Sequence, residues 1–302
     1  MKNKVGILVF YKEGGKNEYT DRFVEEIKKS GLIPEIFYYY KFSIYFKQNT
    51  LEIFYNNKKI NLKNFVFFIS RYSLCGENIH GSYSLVNFLS KKQIPFFNNL
   101  ESSILGKNKR DSLIELAQAG MPITPTGINY SHFFLDQHIK KNKTDKFVVK
   151  LNSSSLGNHV ALVESKISFI SFMEFFGSSR PHAADLLIQP YIESNSTDYR
   201  IFVVGNKVAA AMKRKGSGIE FRSNVAKGGN GEKIEPTKEM KQMAIKATKI
   251  LGLDYAGVDI IKDKNGKNMI VEVNSNPGLE IEKITDTNIV KEIIKHCIKK
   301  SK

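Results

Sequence analysis

The chain has only two cysteines, Cys75 and Cys297, and six histidines in 302 residues. The cysteines stand in no metal-ligand spacing, and a lone distant pair gives little reason to expect a disulfide, so both are read as reduced thiols. The histidines form no H-x-x-x-H or H-x-H pair, which argues against a zinc or iron centre and leaves oxygen as the expected donor to any metal. No apolar run approaches bilayer length; the longest, such as Phe65 to Ile69, are strand-sized. The opening Met1-Lys2-Asn3-Lys4-Val5-Gly6 enters a strand-like segment without the apolar stretch and cleavage site of a secretory signal. A cytoplasmic protein with no membrane partner is therefore expected. There is no Walker A loop, no zinc-finger, helix-turn-helix or RNP-like segment, no internal repeat and no low-complexity tract.

Acidic residues are also few relative to basic ones, 30 against 46, for a net charge of +16. Such a field fits a nucleic-acid footprint or attraction toward an acidic substrate, and charge alone does not choose. The lysines are spread along the chain, and the tail Lys299-Lys300-Ser301-Lys302 reads as solvated surface.

The length favours two or three structural units. The first hundred residues alternate strand and helix signals. Strands are expected at Val5–Phe10, Glu35–Tyr40, Phe65–Ser70 and Phe96–Asn98. Helices are expected after a Thr20 cap, with Phe23, Val24 and Ile27 inward and Gly31 as the stop, and near Ser84–Lys91. That alternation predicts an α/β layer on a largely parallel sheet. The aromatic, lysine-rich stretch Tyr38–Lys59 fits a short hairpin as well as an excursion loop. Lys107–Ala119 reads as an amphipathic helix with Leu113, Leu116 and Ala117 on one face, and Pro122 and Pro125 force an extended exit. From Phe147 onward the pattern becomes α+β, with hairpin signals at Gly205-Asn206 and Asn265-Gly266.

The second hairpin carries chemistry. A two-residue turn at Asn265-Gly266 places Asp259 directly opposite Glu272, with Asn274 on the same face as Glu272. Val258, Ile260, Val271 and Val273 are then expected to line the other face. Facing carboxylates destabilise a sheet, and a divalent cation removes that cost; hard oxygen donors with room for phosphates suit magnesium. A solvated polar face is the bland alternative, and a slip of one residue would separate the pair. A second cluster, Lys150-Leu151-Asn152-Ser153-Ser154-Ser155-Leu156-Gly157, offers small residues and a lysine to phosphate oxygens, although in isolation a plain serine-rich turn between two strands is the preferred account of it.

Taken together, several segments occur in the order and spacing of the RimK branch of the ATP-grasp ligases, and the chain resembles that family from about Lys107 to its C-terminus. They are the Lys150 loop, Leu187-Ile188-Gln189-Pro190-Tyr191-Ile192, Asp198-Tyr199-Arg200, Phe221-Arg222-Ser223-Asn224, Ala256-Gly257-Val258-Asp259 and Val271-Glu272-Val273-Asn274-Ser275-Asn276-Pro277-Gly278. The N-terminal third is similar only in its α/β pattern.

The resemblance implies an ATP-grasp fold, α/β and α+β. Its units would be an N-terminal pre-ATP-grasp domain (1–106), a central lid domain (107–190) and a C-terminal catalytic domain (191–302). It implies Lys109 and Lys150 on the ATP phosphates under the loop with Ser154 and Gly157, Gln189, Tyr191 and Ile192 at the adenine, and Asp198 at the ribose. It also implies Asp259, Glu272 and Asn274 on Mg2+ (or Mn2+), and Arg214 stabilising charge on the transferred phosphoryl and acyl oxygens. Without the resemblance, the run Lys213-Arg214-Lys215 would read as surface. Arg200, Arg222 and Asn224 fall in substrate-facing segments. From charge and position alone, Arg71 is where the N-terminal unit would touch an anionic substrate, and a structural arginine at a strand end accounts for it equally. Pro190 departs from the relatives' acidic hinge residue and brings no N–H.

The implied reaction is ATP-dependent amide formation through an acylphosphate, adding an amino acid such as glutamate, or another amine, to an acidic peptide, carrier protein or small carboxylic acid. A homo-oligomer is compatible with the sequence. The serine-rich loop and Lys215–Gly231 are the expected covers of the site. Two rivals stand beside this reading: a nucleic-acid-binding protein and a catalytically silent ATP-binding module.

Overall fold

The computed structural model describes residues 2–9, 17–70, 79–129, 135–152, 160–179, 186–216 and 230–302. The sequence-derived candidates Arg71, Ser154, Gly157, Arg222 and Asn224, Cys75, and most of the two expected covers lie outside the described residues.

In chain order the first third comprises β1 (Lys4–Val9), α1 (Glu18–Lys29), β2 (Ile33–Tyr38), β3 (Phe42–Lys47), β4 (Thr50–Tyr55), β5 (Lys58–Lys59), β6 (Phe65–Ser70), α2 (Ile79–Lys91) and β7 (Phe96–Phe97). Strands β2-β1-β6-β7 form a parallel sheet, as the alternation predicts. The α1 cap is Asn17, whose side chain accepts from the Thr20 amide, so Thr20 is a buried first-turn residue and not the cap. Tyr38–Lys59 resolves into the antiparallel sheet β3-β4-β5. Its Phe42, Ile44, Ile53 and Tyr55 pack toward the core of this layer, whereas Phe46 is 75 % exposed at the hairpin tip.

Two helices follow, α3 (Leu100–Lys107) and α4 (Lys109–Gln118), where one was expected. Asn108 breaks them with extended backbone and caps α4 by accepting from the Asp111 amide. Ser112 joins Leu113 and Leu116 on the buried face, and Ala117 is exposed. The extended exit that Pro122 and Pro125 demand does form. The Ile270 amide donates to the Pro122 carbonyl (2.8 Å) and the Thr124 amide donates to the Ile270 carbonyl (2.9 Å), stitching the segment to the last sheet.

The middle of the chain carries β8 (Gly127–Asn129), α5 (Leu135–Asn142), β9 (Phe147–Leu151), β10 (Val160–Val163), α6 (Lys166–Ser179) and β11 (Leu186–Pro190). Its sheet, ordered β10-β9-β11-β8, is antiparallel. Pro190 sits at the end of the β11 ladder opposite Phe147, where a missing N–H costs no interior bond.

The last third contains β12 (Thr197–Val204), β13 (Lys207–Lys215), β14 (Asn230–Lys233), α7 (Lys238–Ile250), β15 (Tyr255–Lys262), β16 (Asn268–Asn274), α8 (Glu280–Thr285) and α9 (Ile289–Lys300). Five strands order as β14-β13-β12-β15-β16, all antiparallel. One face, with Ile201, Val203, Ala211, Val258, Ile260, Ile270 and Val273, is closed by α7. On the other face Phe202, Ala210, Met212 and Tyr255 share a core with β1, α1, β6, α8 and α9. That second core covers only part of its face, because further along the same strands the face carries Asp198, Arg200, Arg214 and Asp259. The uncovered part holds the site.

The β15–β16 connection is not the two-residue turn expected. The last pair is Lys262 with Asn268, and the loop 263–267 is closed by the Asp263 amide on the Lys267 carbonyl (3.1 Å). A β-bulge at Val271 then restores the offset: Ile260 faces Ile270, but Asp259 faces Glu272. The bulge turns Ile270 into the α7 core while leaving Glu272 on the opposite face, which strict alternation would forbid. Ile270 thus takes the core place expected of Val271.

Candidate active site

Strand alternation builds the site from cross-strand partners. Arg214 on β13 lies opposite Asp198 on β12, Arg200 on β12 lies opposite Asp259 on β15, and Asp259 lies opposite Glu272 on β16. Opposite charges therefore alternate over four strands, with the like-charged Asp259–Glu272 pair at one end. Arg214 donates from Nε and Nη2 to the two Asp198 oxygens, both at 2.6 Å, and Nη2 also stands 3.1 Å from Asp259 Oδ2. Arg200 grips Asp259 in the same forked way, at 2.5 and 2.6 Å. Arg214 is 3 % exposed, so it is an interior residue and not part of a solvated lysine-arginine run. Burial works against its charge, but Asp259 and then Asp198 overcome that and hold the guanidinium protonated more firmly than usual.

Two lysines arrive from other elements. Lys109 is the first residue of α4, and its Nζ stands 3.6 Å from Glu272 Oε2. Lys150 comes from β9. Burial lowers the Lys150 pKa below the ordinary lysine value, with Lys109 adding to the effect and Glu272, Asp259 and Asp198 opposing it. Burial alone would raise the Glu272 carboxyl, yet Lys109, Lys150, a hydrogen bond from Asn274 (Nδ2 to Oε1, 3.0 Å) and Arg200 hold it well below the usual carboxylate range. The expected lysines and carboxylates are thus one electrostatic unit of four cations and three anions.

Asp259, Glu272 and Asn274 offer hard oxygen donors at one end of that unit, and they fit a small divalent cation in donor type. Among the described residues no group of three or more His, Cys, Asp or Glu side chains is placed to hold a metal, so a cation here would complete its shell with phosphate and water. The hinge candidates lie at the end of the middle sheet. Gln189 is buried, its Nε2 donating to Thr126 Oγ1 (3.0 Å), and the Tyr191 amide donates to the Lys146 carbonyl (2.9 Å). Ile192 follows, partly buried.

Sequence reasoning missed Asn98. It is 2 % exposed, and its Oδ1 accepts from the Asp254 (2.5 Å) and Tyr255 (3.1 Å) amides. Its Nδ2 donates to the Tyr255 (2.9 Å) and Ser275 (2.8 Å) carbonyls. One side chain from the N-terminal layer therefore fixes the start of β15 and the residue after Asn274. Asn152 was also missed as a positioning group: its Oδ1 accepts from the Arg110 amide (3.0 Å), tying the β9 end to the α4 turn that carries Lys109.

Residues 106–297 match the family described as the RimK-like ATP-grasp domain. A "Probable alpha-L-glutamate ligase" of Picosynechococcus sp. is 39 % identical over 195 residues, 64 % of each chain. A protein of the same description from Histophilus somni is 38 % identical over 213 residues, 70 % of each. The match thus spans about two thirds of these relatives' length. Among solved structures, the ATP-grasp ligase PsnB complexed with a minimal precursor superposes with a TM-score of 0.76 at 16 % identity, covering 99 % of both chains. The macrocyclase MdnC bound with precursor peptide MdnA, from Microcystis aeruginosa, gives 0.73 at 14 % identity, covering 98 % of this chain and 99 % of that one. At such identities these likenesses establish the fold, which is ATP-grasp.

Proposed function

Because the chain belongs to the RimK-like ATP-grasp family, a family of carbon–nitrogen ligases, we propose that it couples an amino acid such as glutamate to a carboxylate on an acidic peptide, carrier protein or small acid. The observation that carries this reading is the junction of Asp259 and Glu272 with Arg214, Lys109 and Lys150. A nucleic-acid-binding protein has no need for buried carboxylates and cations gathered at one point, and a silent nucleotide module has no need for the buried Arg214 among them. The curated relatives are described as glutamate ligases, and several of the similar structures hold precursor peptides, which together favour a peptide-like acceptor. The net charge of +16 suits an anionic one.

A carboxylate is a poor acyl donor because oxide would have to leave. In the proposed route a carboxylate oxygen attacks the γ-phosphorus of ATP as the bond to the β-phosphate oxygen breaks, releasing ADP. The amine nitrogen then attacks the acyl carbon, the carbon–oxygen bond to phosphate breaks, and the amine loses a proton. Lys109 and Lys150 hold the phosphates, Asp198 and the hinge residues Gln189, Tyr191 and Ile192 orient the nucleoside, and Arg214 neutralises charge growing on the transferred group. Asp259, Glu272 and Asn274 would hold magnesium, which when bound neutralises phosphate oxygens. Arg71, Arg222 and Asn224 complete the proposal as substrate contacts.

Purified protein incubated with ATP, magnesium and pools of amino acids and acidic peptides tests the reading, by phosphate release and mass spectrometry of the products. Amide product is expected from the parent and none from Glu272→Gln, whose fold is retained. Near-normal turnover in Glu272→Gln would contradict the assignment.

A further inference from the structure

Asp259 is 4 % exposed and already has three charged donors on its two oxygens: Arg200 Nε at 2.5 Å, Arg200 Nη2 at 2.6 Å and Arg214 Nη2 at 3.1 Å. A magnesium–oxygen distance is about 2 Å, so a cation on either oxygen would stand a few ångströms from a guanidinium already bound there. The repulsion between them is large at a buried site. The present grip on Asp259 and a divalent cation on Asp259 are therefore competing states.

The two arginines are not equally able to yield. Arg214 has a second forked anchor in Asp198 and a side chain only 4 % exposed. Arg200 hydrogen-bonds only one carboxylate among the described residues, Asp259, with Glu272 feeling its charge from further off, and its side chain is 12 % exposed. Once displaced, Arg200 would present a planar fork whose shape has just been matched to a carboxylate.

We propose that Arg200 is an exchangeable clamp: it neutralises Asp259 until a divalent cation claims that carboxylate, and the released guanidinium then binds a substrate carboxylate. This rests on the reading of Asp259 and Glu272 as metal ligands. It makes metal–nucleotide binding precede acceptor binding, because the acceptor's anchor is occupied until the metal arrives. It also gives Arg200 opposite effects on two ligands, hindering the metal and helping the acid, which a merely structural arginine would not show.

Titration of the full chain with Mn2+ in the presence of ADP, read by the electron paramagnetic resonance of free Mn2+, tests the competition. Arg200→Gln should bind Mn2+ about tenfold more tightly than the parent, and Arg200→Lys, which keeps a charge but loses the fork, should fall between. A gain of affinity is not something a damaged fold produces. Unchanged or weaker binding in Arg200→Gln overturns the clamp while leaving the metal site standing. Parent-like binding in both Asp259→Asn and Glu272→Gln instead overturns the underlying metal reading. Release is followed by phenylglyoxal labelling and peptide mapping: Arg200 should be protected in the metal-free chain, reactive with Mn2+ and ADP, and protected again by an added oligoglutamate peptide, whose carboxylates are the probe. Labelling of Arg200 that the peptide does not reduce overturns its role toward the acid.

Discussion

Arg214→Met leaves a hydrophobic side chain of similar reach where a buried guanidinium made two 2.6 Å bonds to Asp198 and one 3.1 Å contact with Asp259. Asp259 keeps both bonds from Arg200, so the loss falls chiefly on Asp198, whose side chain is 15 % exposed and is left without its forked partner. Breaking a buried pair by removing one member costs about 3–5 kcal/mol, most of it the stranded charge. Against a total stability of roughly 5–15 kcal/mol that is a large fraction. Adding Asp198→Asn removes the stranded charge and should return roughly 2 kcal/mol, a coupling that a double-mutant cycle isolates. Urea denaturation of the parent, both single variants and the double variant provides the four stabilities, read as midpoint shifts at constant slope. The double variant should recover stability without recovering turnover, because Arg214 is proposed to act on charge in the transition state. A single variant within about 1 kcal/mol of the parent, or additive effects, would refute the account of this pair.

Two further outcomes follow from the packing. Asn98→Ala abandons four hydrogen bonds to buried backbone groups and should cost about 3 kcal/mol or more, seen as a melting temperature lowered by roughly 5 °C; an unchanged melting temperature contradicts its role in fixing β15. Lys150→Ala should weaken ATP binding about tenfold by calorimetry, near 1.4 kcal/mol, while leaving the ligand-free chain about as stable, because burial already disfavours that charge. Parent-like ATP affinity would remove Lys150 from the phosphate site.

Much of this arrangement is legible in the sequence because strands and hairpins write their faces at short range. The parallel layer follows from the alternation of Val5–Phe10, the helix through Phe23 and Ile27, and Phe65–Ser70, and the structure shifts those bounds by a few residues at most. The facing of Asp259 and Glu272 is correct for an incomplete reason. Asn265-Gly266 implies a two-residue turn, the chain uses five residues, and the Val271 bulge restores the pairing. A bulge has no local signature in a run such as Met269-Ile270-Val271; it is set by which residue α7 has room to bury. Arg214 shows the opposite case, where period two applied to Lys213-Arg214-Lys215 separates the central residue from its neighbours and points it inward. Asn98 was out of reach because its partners, Asp254, Tyr255 and Ser275, lie more than 150 residues away. Nor does the sequence reveal that Arg200 holds Asp259, since that pairing needs the β12–β15 register.

The central claim is that a carboxylate, and not water, receives the γ-phosphoryl group. Once an acid and amine pair is found, the acid is prepared with heavy oxygen in its carboxylate and the released phosphate is analysed by mass spectrometry. Attack by that carboxylate followed by amine displacement leaves one of its oxygens on phosphorus, so each phosphate released with amide should carry one heavy oxygen from the acid. Phosphate carrying only solvent oxygen, alongside confirmed amide formation, would contradict the acylphosphate route.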